Sequence, residues 1–228
     1  MFETAAQLAQ LIDHTLVRPD ATITDLTRVC DEAKQYGFST VVVNGGYVAR
    51  AREMLSGTLL KVCAVVGFPH GANTTTVKIV EAMEAMKNGA SELDIVINLG
   101  MLKSGRLDIV EIDIKNIIAM TPKLVHKVIL ETGYLTPEEI TTVCTIAARI
   151  GSEFVKTSTG YGPRGATVED IRLMCNAVGS ACRVKASGAI RDLNSVTALV
   201  EAGAVRIGTS SSVTIMEEYL SRKKIENC

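Results

Sequence analysis

The segment Glu153–Gly162, EFVKTSTGYG, contains the pattern on which the predicted fold depends. Two apolar residues, Phe154 and Val155, lead directly into Lys156, and a polar, glycine-containing loop follows. A lysine is rarely buried in a protein unless it has a charged partner or a chemical role. The segment therefore predicts a buried strand that ends at a functional lysine, with the loop Thr157–Gly162 closing over it.

The same alternation of a short β-branched run and a longer helical segment recurs along the 228 residues. Short apolar runs are typical of buried parallel strands. The predicted strands are 11–17, 38–44, 60–67, 92–98, 123–130, 153–158, 182–186 and 204–208, and the predicted helices are 3–11, 22–37, 46–56, 73–88, 104–120, 136–151, 167–179, 192–203 and 210–220. This order predicts an α/β fold, a (β/α)₈ TIM barrel with a short extra N-terminal helix. A doubly wound open sheet is the alternative, but its usual G-x-G-x-x-G turn is absent after the first strand.

The bulk properties are those of an ordinary globular domain. No change in composition marks a linker, so residues 1–228 are expected to form a single domain with a flexible tail at about 221–228. The net charge of −1 gives no reason to expect nucleic acid or a membrane surface as a partner. No apolar run approaches the ~20 residues of a membrane span, and the N-terminus lacks the basic region of a signal peptide. The scattered cysteines are typical of reduced thiols in the cytoplasm.

Asp94, Lys156 and Lys185 each lie among apolar residues of a predicted strand. The apolar neighbours suit the helix-facing side of a barrel, so the charged side chains are expected to face its interior. One interpretation is a buried ion-pair cluster that only stabilises the core. However, desolvating each ion costs several kcal/mol. In addition, two lysines with one carboxylate leave a surplus positive charge. The pattern therefore favours catalysis.

A lysine amine attacks a carbonyl only when it is neutral, and its free pKa is about 10.4. A neighbouring cation and an apolar environment both favour the neutral form. Lys185 is expected to provide the neighbouring cation for Lys156. The hypothesis is therefore Schiff-base chemistry at Lys156, with Asp94 and Lys185 as the groups that move protons.

Two glycine- and serine-containing loops predict a phosphate site. Ser187–Arg191 follows the seventh strand, and Gly208–Ser211 follows the eighth and opens the last helix. These loops and a nearby helix N-terminus commonly bind phosphate in TIM barrels. Asp13 is expected to bind a substrate hydroxyl or, alternatively, to pair with a polar neighbour inside the barrel. The predicted substrate-binding residues are Asp13, Thr157, Thr159, Gly160, Ser187, Gly188, Ala189, Gly208, Ser210 and Ser211. The histidines have no metal-ligand spacing, so no metal site is predicted.

Six motifs resemble the deoxyribose-phosphate aldolase family, whose members are class I, Schiff-base-forming aldolases. They are IDHTLVRPDAT, CAVVGFPHG, ELDIVINLG, FVKTSTGYGPRGATVED, VKASGAIR and RIGTSS. The resemblance spans nearly the whole chain and implies that Lys156 forms the imine, with Asp94 and Lys185 beside it. It also implies reversible aldol cleavage of 2-deoxy-D-ribose 5-phosphate to D-glyceraldehyde 3-phosphate and acetaldehyde, without a metal or organic cofactor, in deoxyribonucleotide catabolism. We further expect a homodimer or homotetramer.

The chain departs from many relatives at three places. At the end of the second strand, the sequence Val42–Gly45 lacks the cysteine and the proline of the V-C-V-N-P pattern. In the loop after the seventh strand, Ala189 replaces the second glycine of the Gly-Gly-Ile-Arg pattern. The C-terminal residues Glu226–Cys228 do not include the tyrosine that some relatives use near the site. Either Tyr219 takes the place of that tyrosine, or its contribution is missing. The alternatives that remain open are another class I sugar-phosphate aldolase and a barrel that binds a sugar phosphate without turnover.

Overall fold

The chain folds into a closed barrel of parallel strands, in which each strand pairs with its neighbours in sequence and β1 pairs with β8. The computed structural model describes residues 2–226. The strands are β1 (Ile12–Leu16), β2 (Thr40–Val43), β3 (Lys61–Val66), β4 (Glu92–Val96), β5 (Val125–Ile129), β6 (Phe154–Lys156), β7 (Arg183–Ser187) and β8 (Arg206–Thr209). The helices are α1 (Ala5–Gln10), α2 (Ile23–Tyr36), α3 (Val48–Met54), α4 (Thr75–Lys87), α5 (Leu99–Lys103), α6 (Leu107–Met120), α7 (Pro137–Arg149), α8 (Val168–Val178), α9 (Leu193–Glu201) and α10 (Ser212–Glu226). The predicted TIM barrel with its short N-terminal helix is confirmed, and an open sheet is excluded because the barrel closes.

Each strand alternates between side chains that pack on the helices and side chains that face the barrel interior. In β4, Leu93 and Ile95 belong to the main hydrophobic core, and Asp94 between them points the other way. A smaller apolar cluster lies apart from the main core and consists of Val42, Cys63 and Val65. The helix-facing side of β4 is therefore apolar, and the buried charged side chain of Asp94 lies in the interior.

Threonine N-caps begin several helices, as their sequences indicate. Thr136 forms a capping box with Glu139, and Pro137 occupies the first helical position of α7. The Thr74 hydroxyl accepts a hydrogen bond from the Val77 N–H at the start of α4. These caps begin the helices that follow β5 and β3 along the chain.

Helix α5 is the one α-helix of the described chain without a counterpart in the sequence-based prediction. The Asn98 side chain accepts a hydrogen bond from the Met101 N–H and begins this helix directly after β4. Asparagine is a preferred N-cap residue, so the signal was present in the sequence. Because α5 has five residues and includes a glycine, its sequence shows no helical periodicity.

Helix α10 differs from its predicted bounds at both ends. It begins at Ser212, so Ser210 and Ser211 remain in the loop after β8, and it continues to Glu226 through the segment predicted as a tail. Asn227 and Cys228, the rest of that predicted tail, lie outside the described residues. Between residues 2 and 226, no helix has the length and apolar character needed to cross a membrane.

Candidate active site

Strands β4, β6 and β7 bring Asp94, Lys156 and Lys185 together inside the barrel. Lys156 lies opposite Lys185 in the β6–β7 ladder. The Lys156 Nζ donates a hydrogen bond to Oδ2 of Asp94 at 2.6 Å, and the Lys185 Nζ donates to the same oxygen at 2.9 Å. Asp94 and Lys185 are fully buried, and Lys156 is 4% exposed. The three predicted catalytic residues therefore form one hydrogen-bonded group.

A third buried lysine, Lys127 on β5, is absent from the sequence-based candidates. Its Nζ lies 2.8 Å from Oδ1 of Asp94 and 2.7 Å from Oε2 of Glu92. Asp94 therefore contacts lysines through both of its oxygens. The signal was present in the sequence, because Lys127 lies in the apolar run VHKVI and Glu92 lies two positions before Asp94. Residues two apart on a strand share a face.

Asp13 on β1 lies in the same interior and pairs with cations of the protein. Its Oδ2 accepts a hydrogen bond from Lys185, and its Oδ1 accepts one from Arg206 at 2.8 Å. The residue is fully buried and does not line the cavity described below. Asp13 therefore pairs with cations of the barrel, as in the second of the two alternatives for this residue, and its contact with a substrate hydroxyl stays a prediction. Arg206 is a further interior cation that the sequence candidates lack.

Among the described residues, the interior cluster contains one more cationic side chain than carboxylates, and the half-exposed Lys61 also contacts Glu92, at 3.3 Å. The cations are Lys127, Lys156, Lys185 and Arg206, and the carboxylates that they contact are Asp13, Glu92 and Asp94. If all these groups are ionised, one positive charge is left without a carboxylate in a region of low dielectric. A neutral Lys156 removes this excess and leaves three cations with three carboxylates.

The electrostatic environment distinguishes Lys156 from the other two lysines. Burial lowers the pKa of Lys156 and outweighs the attraction of Asp94, and the Lys185 cation lowers this pKa further. Burial also lowers the pKa of Lys185 and of Lys127, but their carboxylate partners outweigh it, so both of these pKa values are raised. Lys156 is thus the one of these three lysines that is poised to be neutral. Burial, rather than Lys185, is the largest cause.

A cavity of about 350 Å³ opens at the carboxyl ends of the strands, and Lys156 lines it. Of the predicted substrate-binding residues, those that line it are Thr159, Gly160, Ser187, Gly188, Ala189, Gly208, Ser210 and Ser211. Arg18, Arg28 and Arg191 also line the cavity. Because α10 begins just after Ser211, its N-terminus adds a favourable field for an anion. The cavity therefore joins a reactive amine to a region suited to a phosphate.

Thr157 takes part in holding the loops rather than in lining the cavity. Its hydroxyl donates to the Ser187 carbonyl at 3.0 Å and accepts a hydrogen bond from the Ser187 N–H at 3.0 Å. The side chain is fully buried. The Thr157 hydroxyl thus connects the ends of β6 and β7, and a contact of Thr157 with substrate stays a prediction.

The loops after β6 and β7 approach each other closely at glycines. A β-carbon at Gly165 would lie 2.1 Å from the Gly188 carbonyl oxygen and 2.8 Å from the Ala189 Cβ. Ala189 itself has a φ of 59°, in the left-handed region that favours glycine. The alanine at this position therefore places a strained backbone and a methyl group at the wall of the candidate phosphate site.

The other departures from the family pattern lie in different parts of the barrel. Val42 belongs to the interior apolar cluster, and Gly45 begins a short 3₁₀ helix. The Tyr219 hydroxyl donates to the Phe2 carbonyl at 3.3 Å, and Tyr219 does not line the cavity. Tyr219 is therefore excluded as a substitute for a C-terminal tyrosine. Tyr161 does line the cavity, and its hydroxyl donates to the Val17 carbonyl at 3.2 Å.

His14 and His126 are engaged in separate hydrogen bonds. The two ring nitrogens of His14 lie 2.8 Å from the Ser212 hydroxyl and 2.7 Å from the Glu32 carboxylate. His126 contacts the Thr121 hydroxyl at 2.9 Å. Across the part of the chain that the structure describes, no group of three or more His, Cys, Asp or Glu side chains is placed to hold a metal ion.

The chain is similar to known aldolases over nearly its whole length. The family described as DeoC/LacD family aldolase matches residues 7–217 of the chain. The deoxyribose-phosphate aldolase of Caldanaerobacter subterraneus subsp. tengcongensis is 50% identical over 220 residues, which cover 95% of this chain and 95% of that protein. The deoxyribose-phosphate aldolase of Methanothermobacter thermautotrophicus is 52% identical over 218 residues, which cover 95% of this chain and 97% of that protein. A tetrameric deoxyribose phosphate aldolase from Aeropyrum pernix has a similar structure, with a TM-score of 0.90, 32% identity, and coverage of 97% of this chain and 94% of that one.

Proposed function

The chain belongs to the DeoC/LacD family of aldolases, and from that premise we propose that it cleaves 2-deoxy-D-ribose 5-phosphate through an imine on Lys156. The predicted activity class is confirmed, since the enzyme is an aldolase, a carbon–carbon lyase. The observation that carries the assignment of Lys156 is its position, where a buried amine with a lowered pKa lines the cavity and bonds Asp94 at 2.6 Å.

In the first stage, the lone pair of the neutral Lys156 amine attacks the aldehyde carbon of the open-chain sugar. The carbinolamine that forms loses its hydroxyl as water once that hydroxyl is protonated. Lys185 supplies this proton, because its raised pKa keeps it charged and it shares Oδ2 of Asp94 with Lys156. The product is a protonated imine, whose positive nitrogen attracts electrons from the neighbouring bonds.

In the second stage, the carbon–carbon bond next to the imine carbon breaks. A base removes the proton of the sugar's 3-hydroxyl, C3 becomes the aldehyde of glyceraldehyde 3-phosphate, and the bonding electrons form an enamine on Lys156. The proton returns to C2 of the enamine, and water hydrolyses the resulting imine to acetaldehyde and free Lys156. We assign these proton transfers to Asp94 and Lys185, because the Lys185 Nζ donates a hydrogen bond to Oδ2 of Asp94.

The loops after β7 and β8 hold the phosphate and so orient the sugar toward Lys156. Gly188 and Gly208 leave room for the anion, and the hydroxyls of Ser210 and Ser211 line the same cavity as the amine. Arg191 adds a positive charge at this end of the cavity. Holding the phosphate places the aldehyde near the nucleophile and removes the entropy cost of that encounter from the chemical step.

The test is a coupled assay of glyceraldehyde 3-phosphate release, together with borohydride reduction in the presence of acetaldehyde. We expect the wild type to release product and to gain a mass adduct on the peptide that contains Lys156. Lys156→Met is expected to lose both. Lys115→Met, at an exposed position on α6, is the matched control.

The outcomes separate the alternatives. An adduct without cleavage of deoxyribose 5-phosphate indicates another class I aldolase that acts on a different sugar phosphate. Phosphate-ester binding without an adduct indicates a barrel that binds without turnover. An adduct on a lysine other than Lys156 contradicts the assignment of the nucleophile.

We propose further that the barrel acts as a single-domain protomer of a homodimer or homotetramer in the cytoplasm. Helix α4 exposes Val77 and Val80, and α6 exposes Ile112, each by about half. Such exposed apolar side chains are typical of surfaces that a second copy covers. The described cysteines, Cys30, Cys63, Cys144, Cys175 and Cys182, are unpaired, as in a reducing compartment. A monomer in light scattering at micromolar concentration would contradict the oligomer.

A further inference from the structure

Glu131, which follows β5, is a buried carboxylate that the proposed chemistry does not use. Its backbone has φ 56° and ψ 61°, in the left-handed region, and its side chain is 2% exposed. Oε2 accepts a hydrogen bond from the Thr159 N–H at 3.1 Å and a second one from the Thr159 hydroxyl. Within residues 2–226, Oε1 has no hydrogen-bond partner. A strained backbone and a buried acid at the mouth of an active site call for a functional reason.

The contacts of Glu131 determine the shape of the loop that follows Lys156. The Thr159 hydroxyl donates to Glu131 and accepts a hydrogen bond from the Tyr161 N–H at 3.0 Å. A β-carbon at Gly162 would lie 2.6 Å from Oε1 of Glu131, so the loop packs directly on the carboxylate. Glu131 therefore holds the loop through both the side chain and the backbone of Thr159.

Thr159 is the point at which this contact reaches the reaction. It lies three residues after Lys156 and lines the same cavity as the Lys156 amine. It also lines a second cavity of about 320 Å³, together with Glu131, His70 and Tyr134. Thr159 thus forms part of the wall between the two cavities, and a shift of this wall changes the space in which the substrate aldehyde meets Lys156.

We propose that Glu131 is a positioning residue for the aldol reaction. Glu131 holds Thr159, so that the loop Thr157–Gly162 forms the wall of the cavity beside Lys156. The proposal rests on the proposed function of Lys156. The phosphate loops after β7 and β8 do not touch Glu131 through any of these hydrogen bonds. Glu131 therefore acts on the chemical step more than on phosphate binding.

The experiment compares the wild type with Glu131→Ala, Glu131→Gln and Glu84→Gln, the last at an exposed position on α4. For cleavage of deoxyribose 5-phosphate, Glu131→Ala is expected to lower kcat about 10- to 100-fold, because small displacements of positioned groups have effects of this size. KM is expected to change less than about threefold, since the phosphate loops are intact. Glu131→Gln keeps an acceptor oxygen and should recover part of the loss. Glu84→Gln should behave as the wild type.

A double-mutant comparison tests whether Glu131 acts through Thr159. Thr159→Val removes the hydroxyl that Glu131 binds, and the combined variant with Glu131→Ala should lose no more activity than the larger of the single losses. Multiplied losses contradict the proposal. A lower thermal midpoint of unfolding with an unchanged kcat per folded molecule also contradicts the positioning role of Glu131. If Glu131→Ala does not fold, the same measurements on Glu131→Gln test that role.

Borohydride trapping with acetaldehyde separates this proposal from the proposed function. If the wild type forms no adduct on Lys156, the proposed function fails. If the wild type forms the adduct and Glu131→Gln and Glu131→Ala form it at the same rate as the wild type, the role of Glu131 fails. Slower trapping in these variants, with the wild-type adduct intact, supports the positioning role.

Discussion

Lys156 and Lys185 bond the same carboxylate oxygen, Oδ2 of Asp94, at 2.6 and 2.9 Å. The shared oxygen gives the two lysines unequal roles, because Lys185 also binds Asp13 and has a raised pKa, whereas burial lowers the pKa of Lys156. A charged lysine and a lysine of lowered pKa are thus one carboxylate apart. This arrangement favours the neutral form of Lys156, which the proposed attack on a carbonyl requires.

Replacing Lys185 should move the pH profile of the reaction. In Lys185→Met the Lys156 amine loses a neighbouring cation, so its pKa rises and the acidic limb of kcat/KM shifts to higher pH. Activity at neutral pH should also fall by about 100-fold or more, because the proton donor is lost. Lys115→Met serves as the exposed control. An unchanged acidic limb would show that Lys185 does not set the protonation of Lys156.

Replacing Lys127 should reduce stability strongly. Lys127→Met leaves Asp94 Oδ1 and Glu92 Oε2 without their buried cation, which is expected to lower the free energy of unfolding by about 3–5 kcal/mol. Urea denaturation measures this. Lys127→Met combined with Glu92→Gln should lose less than the sum of the single changes, because the pair is removed together. Additive losses would contradict the direct pairing.

Ala189→Gly should stabilise the protein and improve binding of the phosphate. A β-carbon at φ 59° costs about 1–2 kcal/mol, and removing it should raise the free energy of unfolding by about 1 kcal/mol after the entropy cost of glycine. Ala198→Gly, in the exposed middle of α9, should instead lower it by about 1 kcal/mol. Thermal unfolding and KM for deoxyribose 5-phosphate measure both effects. A destabilised Ala189→Gly would refute the strain argument.

Ser211→Ala should weaken binding of the phosphate selectively. The Ser211 residue lines the cavity between β8 and α10, and losing its hydroxyl should raise KM for deoxyribose 5-phosphate by about 5- to 10-fold, the value of one hydrogen bond. Turnover of unphosphorylated deoxyribose should not change. Ser221→Ala, exposed on α10, is the matched control. Equal losses with both substrates would place Ser211 outside the phosphate site.

Acid should destabilise the protein through the interior carboxylates. Although burial raises it, the pKa of Asp13 is lowered by Lys185, Lys127 and Arg206 from 3.8 to about 2, and that of Asp94 lies well below its usual range. Between about pH 4 and pH 2 the unfolded chain therefore binds more protons than the folded protein. The stability that these carboxylates contribute is complete above about pH 4 and is lost as the pH falls toward 2. Urea midpoints measured from neutral to acidic pH test this. Asp13→Asn should show a flatter acid dependence, and an unchanged slope would contradict the assignment.

Much of the site follows from local sequence pattern. A lysine after an apolar strand, as in Phe154–Lys156, marks a buried charge wherever the strand is placed, and the loops that begin at Ser187 and Gly208 carry the small residues that an anion needs. Asp13 and Thr157 were predicted to bind substrate from their positions alone, and the structure shows that their polar atoms form hydrogen bonds within the protein. A sequence lists donors and acceptors, but it does not state which of them find partners on strands that are distant in the chain.

The sequence by itself determined the alternation of strands and helices, the barrel class and the lysine that the chemistry requires, because these depend on periodicity and residue type within one segment. Only the tertiary structure decided that Lys127, Glu92 and Arg206 share the interior with Lys156, and that Glu131, in the loop after β5, reaches Thr159 in the loop after β6. The physical reason is that charge balance in a buried space is a property of the closed barrel. Side chains from β1, β4, β5, β6, β7 and β8 meet there, and no segment alone carries the sum of their charges.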